Sequence, residues 1–326
     1  MRLAKNMNFI IRVFFTLCLF SFLFNSTSFS DDGLKEAVSL QNAFNNVAEK
    51  AFPAVVVITV KKEINNTVPP ILEYFFDFQG KIPRKPQKPP VIEGKGSGFF
   101  VNEDGYILTN YHVIAENDEI IVRLKDNSEY KAEIKGADPK TDLALLKINS
   151  PDKTPFLAFA DSDKVKVGDW AIAIGAPYNF DYTMTVGVVS QKGRSVGLNV
   201  YENYIQTDAS INRGNSGGPL LNIEGNVIGV NDFIFTGGYS EGNIGLGFAI
   251  PSNMAKDVME ELLKKGEVER AWIGIAMEPL SPEMKKQFNA ENGILVREVF
   301  SDDPADIGGI EPGDVILSVD GSPVNT

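Results

Sequence analysis

The chain has 326 residues, 43% hydrophobic and 23% charged, which excludes a disordered tract, a collagen repeat and a coiled-coil rod. Its 31 Lys and Arg against 43 Asp and Glu give a net charge of −12, so no nucleic-acid surface is expected, since phosphate contacts need clustered cations. One Cys and one His rule out an internal disulfide and a multi-histidine metal centre. No metal or other cofactor is expected, and any imidazole chemistry falls to His112.

The first 30 residues read as a cleavable secretory signal. Arg2, Lys5 and Arg12 form a basic start, Val13 to Phe24 is apolar, and small polar residues follow to Ser30, where cleavage is expected. Twelve apolar residues fall short of the ~20 that span a bilayer, although an uncleaved anchor is the alternative. Removal of this segment takes three basic charges and the only Cys, leaving an acidic, thiol-free protein in the periplasm, away from ATP.

In the body, Leu34, Val38, Phe44, Val47 and Ala48 recur at helical spacing until Pro53 stops the run. Ala54 to Lys61 is β-branched and predicts a strand. Residues 65 to 94 are proline-rich and read as a long loop, with Tyr74, Phe75, Phe76 and Phe78 as a local anchor or a contact with another subunit. Two successive sets of about six short strands follow, Lys95 to Ile148 and Trp170 to Ile250. One long helix is predicted, Ser252 to Lys265, with Ser252 as N-cap and Gly266 past its end. Strands without intervening helices argue for two closed antiparallel barrels and against a parallel α/β sheet.

Three segments carry chemistry. Thr109-Asn-Tyr-His112-Val-Ile follows a strand, Thr141-Asp142-Leu-Ala-Leu-Leu opens another, and Gly214-Asn215-Ser216-Gly217-Gly218-Pro219 is a glycine-rich turn. A Ser hydroxyl is a weak nucleophile until a neighbouring base takes its proton, and His suits that task near neutrality. A buried Asp holds the other ring nitrogen in the correct tautomer. The amides of Gly214 and Ser216, with Asn215 between them, can converge on an oxyanion. The string G-x-S-x-G alone is a weak signal, and Gly96-Ser97-Gly98 is read as the opening of a strand. The order His112, Asp142, Ser216 across two strand sets is that of chymotrypsin-type enzymes.

The segments TNYHVI, TDLALLKI and IQTDASINRGNSGGPLLN resemble the exported HtrA/Deg (Do-like) serine proteases, and the likeness runs from about Leu34 to the chain end. The resemblance implies a chymotrypsin-like double barrel over residues 31–266, with His112 as base, Asp142 as orienter and Ser216 as nucleophile. It implies endoproteolysis of misfolded or unfolded exported proteins, assembly from trimers, and cleavage after small aliphatic residues through a pocket lined by Ile211 and Ile234. Asp232 departs from the family pattern. Asn215 replaces the Asp that pairs with a freshly cut N-terminus in digestive proteases, so propeptide activation is not expected. Loops near Gln191 to Asn203, containing Arg194, and Phe235 to Gly245 match those the family orders on ligand binding.

Residues 267–326 resemble the N-terminal part of a PDZ domain, with Trp272, Ile273, Gly274 and Ile275 at the loop that binds peptide C-termini. Such a module continues past Thr326 with a strand and the helix walling its groove. Two other functions compete. A chaperone-like binder of unfolded envelope proteins uses the same grooves. An α/β-hydrolase esterase needs a helix directly after Ser216, for which Gly217-Gly218-Pro219 is poor material.

Overall fold

The computed structural model describes residues 31–63, 91–115, 119–176, 182–199, 201–235 and 242–324. The signal segment, the Tyr74–Phe78 cluster and parts of the two glycine-rich loops lie outside them. Among the described residues no helix is long and apolar enough to cross a membrane.

The amphipathic run forms α1 (Asp31–Ala51), which gives way to a short 3₁₀ turn at Phe52–Ala54. Proline lacks an N–H and its ring crowds the preceding turn, so Pro53 ends the α-helix there. Only the C-terminal half of α1 docks. Val47 and Ala51 are buried, and Phe44 meets Trp170 edge-on with centroids 5.3 Å apart. Lys50 Nζ donates to the Glu224 carbonyl and to Asn226 Oδ1.

The first barrel closes in the order β1 (Val55–Glu63), β2 (Val91–Phe100), β3 (Tyr106–Thr109), β6 (Leu143–Ile148), β5 (Glu129–Asp138) and β4 (Glu119–Arg123). β2 starts four residues earlier than its composition suggests. Val91 to Gly94 pair antiparallel with Val60 to Glu63, so the expected proline-rich loop stops short of Val91. Nearby prolines obscure this stretch in the sequence, but it contains none and can pair with β1. Two close approaches explain the glycines of β2. A Cβ at Gly98 would lie 2.7 Å from Ile107 Cγ2, and one at Gly96 would lie 2.6 Å from Val113 Cγ1. Val113 belongs to α2 (Tyr111–Ile114), a single turn that the strand pattern did not suggest.

The second barrel closes as β10 (Pro219–Leu221), β11 (Val227–Ile234), β12 (Gly247–Pro251), β9 (Tyr204–Thr207), β8 (Thr183–Arg194) and β7 (Trp170–Gly175). β8 runs on to Arg194, which pairs with Tyr204, so the loop expected from Gln191 is a strand for its first residues. α3 (Ser252–Lys265) follows β12. Its N-cap position is Pro251, not Ser252. The Ser252 hydroxyl instead donates to the Ala160 carbonyl at 2.6 Å, because tertiary contact offers it a buried acceptor. Gly266 caps the other end in the left-handed conformation, donating to the Leu262 carbonyl.

The chain divides after Val268 into two compact units. The second contains a three-stranded sheet, β13 (Ile275–Pro279), β14 (Ile294–Val299) and β15 (Val315–Ile316), and a hairpin, β16 (Ser318–Val319) with β17 (Ser322–Pro323). Short helices α4 (Pro282–Gln287) and α5 (Pro304–Ile307) join them. Ile275, Val296 and Ala305 form its small core.

Between β8 and β9 one carboxylate organises a turn. Glu202 Oε2 accepts from the Ser195 hydroxyl and from the amides of Val196 and Gly197. Oε1 accepts from the amides of Leu198 and Asn199. Partial burial pushes the Glu202 acid up, but these five donors outweigh it and hold the group at about 2. A folded pKa below the unfolded value of 4.5 stabilises the fold above pH 4.5, and that contribution is lost as pH falls towards 2. Glu202→Gln is therefore expected to speed amide exchange over residues 196–199 at neutral pH. The difference from wild type should shrink as pH falls from 4.5 towards 2. Val47→Ala should cost about 2–3 kcal/mol, read by denaturant unfolding, because it removes buried methyls that hold α1 to the barrels.

Candidate active site

His112 sits in α2, directly after β3, and Asp142 sits in the turn before β6. Because β3 and β6 are paired, Thr109 lies opposite Ala144, and the two residues meet just beyond the ends of the strands. The approach to Asp142 is a tight turn in which the Thr141 hydroxyl and the Lys140 amide donate to Asp138. Asp142 takes a positive φ of 57°, a conformation that a short polar side chain tolerates better than a branched one. Its backbone carbonyl accepts from Tyr111 N at 3.1 Å and from Asn110 Nδ2 at 3.0 Å. Its carboxylate holds His112 twice. Oδ1 accepts from the His112 amide at 2.8 Å, and Oδ2 lies 2.5 Å from His112 Nδ1. Backbone and ring are thus fixed by one group. With Nδ1 turned to Asp142, Nε2 is the ring nitrogen available to a nucleophile.

Ser216 lies in the second barrel, on the loop before β10. Asn231 holds that loop against β11: Gly217 N donates to its carbonyl, and its own amide donates to the Gly218 carbonyl, both at 2.8 Å. The Asn231 side chain donates to Ile174 and Pro219 carbonyls. Ser97 on β2 makes four hydrogen bonds, three of them across the barrels. Its amide donates to the Ser216 carbonyl at 2.9 Å, and its hydroxyl donates to the Gly214 carbonyl at 2.6 Å. That hydroxyl accepts from Ala176 N at 3.0 Å, and the Ser97 carbonyl accepts from the Thr109 hydroxyl at 2.7 Å. Ser97 therefore links the strand leading to His112 with the loop bearing Ser216. Gly96-Ser97-Gly98 is part of a strand, as its composition suggests, but this link appears only in three dimensions. Gly217 has a φ of +81°, and a Cβ there would collide with Thr109 Oγ1 and the Ser97 carbonyl.

Of the three residues expected at the oxyanion site, Asn215 spends its amide on the Asn212 carbonyl at 3.0 Å. Among the described residues the amides of Gly214 and Ser216 have no backbone acceptor, so they are the donors this loop can offer. Ile211 is buried in the core of the second barrel, with Ile234 packed against the same cluster. Ile211 Cδ1 would lie 3.0 Å from a Cβ at Gly247, the residue paired with Ile234. Arg194 is exposed at the end of β8.

One residue that the sequence assigned no role lies beside His112 and Asp142. Asp232 is 3% exposed, and its Oδ1 lies 3.9 Å from His112 Nδ1. His112, Asp142 and Asp232 offer ligand atoms within 4.8 Å of one another, the spacing of a candidate cation cluster. A bound ion would have to lie between its ligands at about 2.0–2.2 Å from each. The 2.5 Å approach of Nδ1 to Asp142 is the geometry of a hydrogen bond between the two. In the second unit the expected carboxylate loop is braced by Asp303, whose Oδ2 accepts from Trp272 Nε1 at 2.8 Å. Gly274 has a φ of +81°, and a Cβ there would collide with Asp303 Cβ.

Ser97→Ala should destabilise the first unit by about 1–3 kcal/mol, because it leaves the Gly214 carbonyl and the Ala176 amide without their shared buried partner. Faster exchange of the Gly217 and Gly218 amides, with the β4–β5 hairpin unchanged, is the expected signature.

Comparisons with known proteins agree with this geometry. Residues 96–230 match the trypsin-like peptidase domain model and residues 271–326 match the PDZ domain model. A probable periplasmic serine endoprotease DegP-like from Pseudomonas fulva (strain 12-X) is 44% identical over 303 residues, covering 86% of this chain and 62% of that protein. A protein of the same description from Brucella suis biovar 1 (strain 1330) is 41% identical over 320 residues, covering 87% and 62%. The chain thus spans about 62% of the length of these curated relatives. Among solved structures, the HtrA-type protease AlgW with a decapeptide superposes with a TM-score of 0.70 at 39% identity, covering 87% of both chains. The serine endoprotease from Yersinia pestis gives 0.59 at 36% identity, covering 86% and 83%. The double barrel, the carboxylate–imidazole pair beside the Gly-Asn-Ser-Gly loop and these likenesses together place the chain in the HtrA-type protease family.

Proposed function

We propose that the protein is a periplasmic serine endopeptidase that degrades misfolded or unfolded exported proteins through an acyl-enzyme. The observation carrying this reading is the double grip of Asp142 on His112 in a chain of HtrA-type lineage. Ser216 Oγ attacks the scissile carbonyl carbon while its proton passes to His112 Nε2. Asp142 steadies the resulting imidazolium, and the amides of Gly214 and Ser216 receive the oxyanion. Collapse of the tetrahedral intermediate expels the amine, which leaves with the proton from His112. Water then attacks the ester, His112 takes its proton, and the carboxylic acid product departs as Ser216 recovers its hydrogen.

Several features support the finer assignments. Two branched apolar side chains, Ile211 and Ile234, beside Gly247 make a shallow apolar pocket suited to Val, Ala or Ile before the cut. The loop at Trp272–Ile275 suits a peptide C-terminus, captured as an added strand beside β13. The strand-end residue Arg194 and the Glu202-organised turn are candidates for activation control, and assembly from trimers follows the family. Periplasmic location follows the names of the relatives and the basic-apolar-small layout of residues 1–30.

The test is digestion of an unfolded protein with product termini sequenced. Ser216→Ala should fold normally and retain less than about 10⁻³ of wild-type turnover. Most cuts should follow Val, Ala or Ile, and neither EDTA nor ATP should change the rate. A majority of cuts after Lys, Arg or Phe would overturn the pocket assignment. A fully active Ser216→Ala protein would overturn the mechanism.

A further inference from the structure

The residue the triad mechanism does not use is Asp232, and its position is built rather than incidental. In the pairing of β11 with β12, Asn231 faces Ala249 and Phe233 faces Phe248, so Asp232 is the extra residue of a β-bulge. A bulge interrupts the alternation of side chains and re-aims one of them. Here the bulged residue carries a carboxyl buried beside His112 and Asp142. The groups that face it come from four segments. Asp142 approaches from the turn before β6 at hydrogen-bonding range, His112 from α2, the Tyr204 hydroxyl from β9, and Glu202 from the turn before β9.

Two carboxylates in contact inside a protein do not both ionise, because neither the solvent nor a counter-ion offsets their repulsion. The His112 ring and amide already occupy the donor-seeking oxygens of Asp142 from one side. A second carboxyl can add to that arrangement only as a donor, which requires its proton. We propose that Asp232 is a positioning residue that acts as a neutral carboxylic acid, donating its proton in a hydrogen bond to Asp142 and so fixing the carboxylate that orients His112. This inference rests on the protease reading of the same site.

Burial, first, and the neighbouring Asp142, second, raise Asp232 well above the usual carboxylate range, in keeping with a retained proton. Burial and the Asp232 carboxyl also push the Tyr204 hydroxyl up, so it stays a neutral donor to Asp232. Tyr204 in turn accepts from Asn199 Nδ2 at 2.8 Å, in the turn gathered by Glu202. A continuous chain of hydrogen-bonded groups thus runs from the 195–199 turn to the base of the triad. Order in that turn and geometry at His112 are coupled through the Asp232 proton.

The proposal is tested on wild type, Asp232→Asn and Asp232→Ala. Infrared difference spectra of wild type against Asp232→Asn at neutral pH should show the carbonyl stretch of a protonated carboxyl, lost in the variant. Absence of that band would mean Asp232 is ionised and would overturn the proposal, whatever the enzyme cleaves. In kinetics, Asp232→Asn keeps a donor without a titratable proton and should stay within about threefold of wild-type kcat. Asp232→Ala removes the donor and should lower kcat by about tenfold with KM held, the size expected for one lost partner of a buried charged group. Equal losses in both variants would show that a negative charge, not a donor, is required, and unchanged kcat in both would reduce Asp232 to a bystander. If Asp232→Ala fails to fold, the infrared comparison and the Asn variant still decide the matter. If wild type cleaves nothing but the band is present, the protease reading falls while the shared proton stands.

Discussion

The site exists only because two separately closed barrels come within backbone hydrogen-bond distance at β2. His112 hangs from the first barrel and Ser216 from the second, and the segment between the barrels ties them by bonding Leu157 to Phe100 and pairing Phe159 with Val227. At the site itself Ser97 joins the two, through its amide on the Ser216 carbonyl and its hydroxyl on the Gly214 carbonyl. That approach is possible because Gly217 has no Cβ to meet the Ser97 carbonyl and the Thr109 hydroxyl. Closed barrels on either side then hold the His112 turn and the Ser216 loop to this contact.

Electrostatics refine what packing allows. Asp142 is used at both oxygens on a single partner, which fixes the position of His112 as well as the tautomer of its ring. The cost is a buried carboxylate, met by ring and amide donors. Asp232 adds a second carboxyl to the same buried space. Such a pair is tolerated when one member holds a proton, so the site gains an oriented donor at the expense of a group that must stay neutral. The β-bulge at Asp232 is the local backbone irregularity that makes the contact possible. Glu202 shows the opposite solution. It remains ionised because five donors converge on it, and it organises a turn rather than a side chain.

The second unit follows the same logic on a smaller scale. Three residues form its core cluster, and an exposed hydrogen bond from Trp272 to Asp303 braces the loop before β13. Gly274 is required there by its left-handed backbone and by the proximity of Asp303. The carbonyls of Ile273 and Gly274 also accept from Ala305 and Phe300, so the loop is tied to the body of its unit by backbone as well as side chain.

The linear chain by itself determined the elements and the reacting groups. Alternating short strands between turn residues encode two sheets that must close to hide their edges, and Pro53 and Gly266 mark helix ends by covalent constraint. His112 is the sole imidazole, and glycines flank Ser216, so the proposed base and nucleophile follow from residue type and order alone. What only the tertiary structure decided are contacts between residues distant in sequence. Ser97 reads as an ordinary strand residue until it meets Gly214 and Ser216, 117 positions from the former. Val91 to Gly94 read as loop beside prolines until β1 offers them a partner. Ser252 reads as a helix cap until the fold puts the Ala160 carbonyl where its hydroxyl can donate. Asp232 is only a departure from a pattern until the fold buries it, at a bulge, beside His112 and Asp142. Local sequence sets backbone propensity, whereas the partner of a buried polar group is chosen by whichever strand the fold brings beside it.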